Sequence, residues 1–127
     1  MEIGLWLKKN INPGDSIFLE PLGNIGYFSN AKMLDWPGLV SPEVVAVEKK
    51  KQGNRSSYDP VIKKLKPSWV VMRPFHYFSL SKDEWFNNNY KTIRVFDARD
   101  KIDQYKNLPG VNYLYFDAVF FILKRIN

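Results

Sequence analysis

Four residues of this chain carry side chains suited to acid–base or polar-ligand chemistry: Glu20, Asp35, Arg73 and His76. Glu20 closes the run "SIFLE", Asp35 closes "KMLD" and Arg73 closes "SWVVMR", with His76 three residues on. Short apolar runs bounded by proline, glycine and polar residues read as strands. In an open α/β sheet, ligands bind outside the carboxyl ends of the parallel strands, where the strand order reverses. Two carboxylates, a guanidinium and an imidazole gathered there can hold a polar ligand or exchange protons with it. The plainer reading is that charged residues mark where strands surface, with Arg73 simply paired to one of the acids. Trp36, beside Asp35, offers an indole face of the kind that stacks on a sugar.

Other chemistries find less support. "GNIG" (23–26) follows a strand and opens a helical segment, where free backbone amides can meet a phosphate. It is not G-x-G-x-x-G and has no P-loop lysine, so Gly23 and Gly26 read as sites of close helix packing. His76 is the single histidine and cysteine is absent, which excludes cysteine- or histidine-rich zinc sites. No G-x-S-x-G elbow places a serine against His76. These residue types and spacings therefore assign no catalytic residue, no metal and no cofactor.

The chain has 127 residues and a formal charge of +6. Much of the excess falls in one stretch: Lys49, Lys50, Lys51, Arg55, Lys63, Lys64 and Lys66 face only Glu48 and Asp59. Such a patch suits an anionic membrane surface or nucleic acid, and it also describes two solvated helix faces. Nucleic acid is disfavoured, because base stacking needs aromatics among the cations and this stretch holds only Tyr58.

Hydrophobic residues at 45% and aromatics at 16% supply material for one domain over residues 1–127. Apolar residues at 3, 6, 7 and 11 predict an opening helix. "NPGD" (12–15) predicts a type II turn. Strands are expected over 16–20, 32–35, 68–73 and 91–98, and helices over 22–30, 42–52, 59–66 and 81–90. Ser41 with Pro42 reads as a helix start, and Ser81 with Glu84 as a capping box. Residues 74–81 and 99–110 read as connections, and 111–126 as an extended segment bent near Phe116–Asp117. Alternating strands and helices imply a three-layer α/β/α, Rossmann-like fold with a mainly parallel sheet and an antiparallel edge strand. In "MLDWPGLVSP" (33–42), Pro37-Gly38 reads as a turn. Asp35 is expected to accept the turn's amides, which leaves Trp36 without a structural role.

Four stretches together carry a resemblance: "GLWLKKNINPGDSIFLEPLGNIGYFS", "LDWPGLVSPEV", "LKPSWVVMRP" and "FFILKR". This pattern resembles the soluble C-terminal domain of bacterial multi-spanning glycosyltransferases that use polyprenyl-phosphate sugars. The matching positions are Glu20, Gly23, Gly26, Tyr27, Asp35, Gly38 and Leu39. The resemblance implies a non-catalytic accessory domain at the extracytoplasmic face of the inner membrane, cut from a longer protein. Its implied partners are the membrane-spanning part of that protein, a glycan or polyprenyl-phosphate sugar, and anionic lipid headgroups. A free-standing α/β ligand-binding protein or enzyme, using the strand-end residues, is the alternative.

Overall fold

The computed structural model describes residues 1–50 and 57–127. Lys51, Arg55 and the loop expected over 53–57, Ser57 apart, lie outside the described residues. Among those described, eight helices and five strands form a mixed α/β fold. In chain order they are α1 (Glu2–Asn10), β1 (Ser16–Leu19), α2 (Leu22–Ser29), β2 (Lys32–Asp35), α3 (Pro42–Lys49), α4 (Asp59–Leu65) and β3 (Trp69–Met72). There follow α5 (Pro74–Leu80), α6 (Glu84–Asn89), β4 (Tyr90–Asp97), α7 (Arg99–Asp103), α8 (Asn112–Phe116) and β5 (Val119–Arg125). None of these helices is long and apolar enough to cross a membrane.

The sheet has the order β2-β1-β3-β5-β4. β1 pairs in parallel with both β2 and β3, while β5 runs antiparallel to both β3 and β4. The antiparallel strand is thus interior, and β4 takes the edge in place of the antiparallel edge strand expected from the sequence. Composition explains the exchange. Ile122 and Leu123 of β5 are buried, whereas Lys91 and Arg94 of β4 are exposed, and charged side chains protect a sheet edge from further pairing.

Side chains alternate along the central strands, so each strand feeds two cores. Phe18, Val70, Met72 and Leu123 pack with Val44, Val61 and Ile62 from α3 and α4. Ile17, Leu19, Trp69, Val71 and Ile122 pack with Leu7 of α1 and Ile25 of α2. Gly4 makes the α1–α2 approach possible, since a Cβ there would lie 2.7 Å from the Phe28 Cβ.

Three local expectations are corrected. Residues 74–80 form a helix rather than a connection: Pro74 sits in its first turn, and Tyr77 and Leu80 turn inward. Since α5 runs through Leu80, Ser81 cannot cap the next helix. Asp83 does so instead, accepting from the Phe86 amide at 2.8 Å. The segments 99–110 and 111–126 each contain a short helix, α7 and α8, and the second breaks at Asp117 before β5.

Chain reversal places the strand-end residues. From β1 the chain passes to β2 on one side, and later to β3 on the other. Glu20 and Arg73 therefore emerge from neighbouring parallel strands at the point where the order reverses. Asp117, just before the oppositely directed β5, reaches the same end of the sheet.

Candidate functional site

Arg73 is the centre of the cluster at that end. Its guanidinium donates to Glu20 from Nη1 and to Asp117 Oδ1 from Nε, the latter at 2.7 Å. The Arg73 side chain is only 11% exposed, while Glu20 and Asp117 are 36% and 55% exposed, so the acids open to solvent and the cation lies beneath. Phe116 and Phe120 cover the guanidinium, with ring centroids 4.4 and 5.8 Å from Cζ.

Tyr58 completes the cluster from the residue preceding α4. Its hydroxyl donates to Glu20 Oε2 at 2.5 Å. Burial, with the carboxylate of Glu20 next, pushes this phenol well above its ordinary range, so it remains a protonated donor. The His76 imidazole stacks on Tyr58 at 3.9 Å between centroids, and its Nε2 lies 3.9 Å from Glu20 Oε2. Burial lowers the His76 pKa, Glu20 works to raise it and Arg73 works to lower it, with a net downward shift. His76 is therefore mainly neutral near pH 7. Trp36, partly buried against the same core, also meets Tyr58, with ring centroids 5.3 Å apart. A continuous chain of contacts thus runs from Trp36 through Tyr58, His76, Glu20 and Arg73 to Asp117.

Of the strand-end residues singled out from the sequence, Glu20, Arg73 and His76 come together with Trp36 alongside, whereas Asp35 stands apart. Asp35 is fully buried and accepts from the amides of Leu39 and Val40 at 2.6 and 3.1 Å, and from the Ser41 hydroxyl at 2.7 Å. It organises the turn, as its place before Pro37-Gly38 suggests. Ser41 Oγ accepts from the Asp35 amide instead of capping α3. Gly38, at φ +99°, supplies the left-handed residue that the turn requires, and the Trp36–Pro37 bond is cis. Leu39 is 80% exposed beyond the turn and Tyr27 is 82% exposed on α2, so neither matching position is core.

Tyr58 and Asp117 escaped the sequence reading. Tyr58 is the one aromatic among many lysines, and Asp117 marks the bend before the last strand; neither signal says which partner it meets. The basic stretch is also altered by the fold. Lys63 is held by Asp59 at 3.0 Å and Asp83 at 2.7 Å, whereas Lys49, Lys50, Lys64 and Lys66 are exposed.

Residues 1–115 match a family model described as a domain of unknown function, DUF8728. The chain belongs to that family. No curated protein and no solved structure matches it. The matched span includes Glu20, Trp36, Tyr58, Arg73 and His76, and it ends before Asp117 and β5.

The electrostatics restrict what the cluster can hold. Two carboxylates flank one guanidinium, so with His76 neutral the formal balance is one negative charge. A phosphate would meet Glu20 and Asp117 before it reached the sunken Arg73. Hydroxyl or ammonium groups fit better, since ionised carboxylates only accept hydrogen bonds. Phe75 and Phe116, 79% and 68% exposed, add open aromatic faces beside the acids. A cavity of about 570 Å³ lies between α1, α2 and β4 and meets the cluster at Asp117 and Phe120. Its charged lining is partly self-paired, with Lys101 reaching Glu2 at 3.6 Å. Among the described residues, no group of three or more His, Asp or Glu side chains is arranged to hold a metal ion.

Proposed function

We propose that this domain is a non-catalytic glycan-binding accessory module of a membrane glycosyltransferase. In this reading it stands at the extracytoplasmic face of a bacterial inner membrane, in the three-layer Rossmann-like form of α/β fold. The observation that carries the binding function is the convergence of Glu20, Tyr58, Arg73 and His76 at the strand-order reversal, with Trp36 alongside. Carboxylates that accept hydroxyls, next to aromatic faces that cover apolar C–H surface, suit a neutral or amino sugar. The cores on opposite faces of the sheet favour the layered form, and the sequence resemblance supplies the glycosyltransferase context.

Arg73 engages both acids and Tyr58 engages Glu20, so the cluster is set as a preorganised acceptor surface. An independent α/β enzyme or binding protein would use the same groups, and turnover by the chain alone would favour that alternative. The test is amide and indole NMR of the chain titrated with hexoses, amino sugars and their 1-phosphates. Expected are shifts at Trp36 and around Glu20 for the neutral and amino sugars, weaker for the phosphates, and abolished by Glu20→Gln with Trp36→Ala. No shift at millimolar sugar, or equal shifts in the variant, would overturn the reading.

A further inference from the structure

The +6 charge is spread unevenly over the two ends of the sheet. β1, β2 and β3 start at the end opposite the Glu20–Arg73 cluster, and β5 finishes there. Among the described residues, seven cations collect at this amino-terminal pole beside Lys32, which starts β2 and is paired with Glu43 at 2.8 Å. Lys8 and Lys9 lie in the last turn of α1, Lys64 in that of α4 with Lys66 just after it, Lys91 is second in β4, and Lys124 and Arg125 end β5. Their proximity follows from pairing: Lys124 is the register partner of both Trp69 and Lys91, and Arg125 is that of Tyr90. Arg125 Nη1 also donates to the Lys66 carbonyl. Asp15 sits among them but turns its carboxylate inward, accepting from Trp69 Nε1 and the Asn12 amide, each at 2.9 Å. The opposite pole is mixed: Glu20, Asp97, Asp100, Asp103 and Asp117 stand beside Arg73, Arg99 and Lys101, with Arg73 paired to Glu20 and Asp117 and Arg99 paired to Asp97. Sequence proximity does not show this division, because the seven cations come from four separate elements.

We propose that the amino-terminal pole docks on an anionic phospholipid surface and holds the candidate ligand site facing away from it. Charge complementarity selects the partner. All of these cations except Lys124 are exposed, and exposed Ile126 follows Arg125 as an apolar contact for the headgroup layer. Six of the seven are lysines, point charges without the planar fork that reads phosphates bidentately. Of the aromatics near this pole, Trp69 and Tyr90 are 2% and 4% exposed, and Trp85 is half-buried against Tyr90 under Lys63, so nucleic-acid bases meet little open stacking face. This proposal is independent of the glycan reading and survives its failure.

The test is flotation of the full chain with two vesicle types at low salt: phosphatidylcholine alone, and phosphatidylcholine with about one third phosphatidylglycerol. Binding is expected only to the second and to fall as salt rises. Lys9→Gln, Lys64→Gln and Lys91→Gln together are expected to weaken it about a hundredfold, on roughly fivefold per cation. Lys101→Gln, at the other pole, is expected to leave it unchanged. The chain has no cysteine, so a polarity-sensitive dye on Lys9→Cys or Phe75→Cys reports orientation. Only the Lys9→Cys dye is expected to respond to vesicles. Equal binding to both vesicle types, no binding at low salt, an unaffected triple variant or a response from Phe75→Cys would overturn the proposal. Tighter binding to duplex DNA than to the anionic vesicles would do the same.

Discussion

Tyr58 and Glu20, separated by 38 residues, meet through a hydroxyl-to-carboxylate hydrogen bond of 2.5 Å at the carboxyl end of the sheet. The bond joins the start of α4 to the end of β1 and fixes the carboxylate that Arg73 also holds. Its energetic share is separable from packing, because Tyr58 keeps its stacking on His76 and its edge contact with Phe18 when only the hydroxyl is lost. Tyr58→Phe is expected to cost about 1 kcal/mol in urea denaturation. Combined with Glu20→Gln it is expected to cost less than the two separate losses together, since both remove one coupled bond. Additive losses in that double-mutant cycle would place the two residues in separate networks.

The single histidine gives the site a clean titration. Burial holds the His76 pKa below its ordinary 6.5, and Glu20 opposes that shift. Glu20→Gln is therefore expected to lower the His76 pKa further, read from its ring proton NMR shifts. The linkage sign follows. Between the depressed folded value and the unfolded value near 6.5, the unfolded chain binds more protons, so stability rises with pH. This contribution is full above pH 6.5 and is lost as pH falls towards the folded value. His76→Phe is expected to flatten that part of the stability profile.

Asp35 carries the opposite ionisation preference. Burial works against its charge, but bonds from the Ser41 hydroxyl and the Val40 and Leu39 amides outweigh that, and its pKa is lowered. Its stabilising share is present above the unfolded carboxylate value and disappears as pH falls through the lower folded one. Asp35→Ala leaves several buried donors without an acceptor and is expected to cost about 3 kcal/mol at neutral pH. The gap to the parent chain is expected to narrow in acid, and pH-dependent thermal unfolding measures it.

Glycines in the two neighbouring motifs are expected to answer differently to alanine. At Gly38 the backbone has φ +99° and a Cβ would lie 2.6 Å from Val45 Cγ2, so Gly38→Ala is expected to destabilise by about 2 kcal/mol. At Gly23 a Cβ meets nothing within 4 Å, and Gly23→Ala is expected to change stability by less than about 1 kcal/mol. Chemical denaturation of both variants, side by side, tests the difference.

Much of the fold is legible in the sequence because its signals are local. "SIFLE" and "SWVVMR" form strands since their apolar residues fill both sides of a central sheet. "DPVIKKLK" forms a helix since Val61 and Ile62 share a face while Lys64 lies outside it. The Pro-Gly turn and the role of Asp35 follow from short-range backbone chemistry. The helix at 74–80 was obscured because aromatics suit either state, and burial of Tyr77 and Leu80 decided it. Long-range features have no such local signature. The order that places β5 inside the sheet depends on which strand gains more by being covered on both sides. The union of Glu20, Tyr58, Arg73 and Asp117, and the separation of a basic pole from one of mixed charge, exist only once that order is set. Local signals set the strands and most of the helices, though not α5, α7 and α8, together with the charged residues at the strand ends. Tertiary structure alone decided which of those ends meet, because apolar burial across the sheet fixes strand order over distances that no local propensity spans.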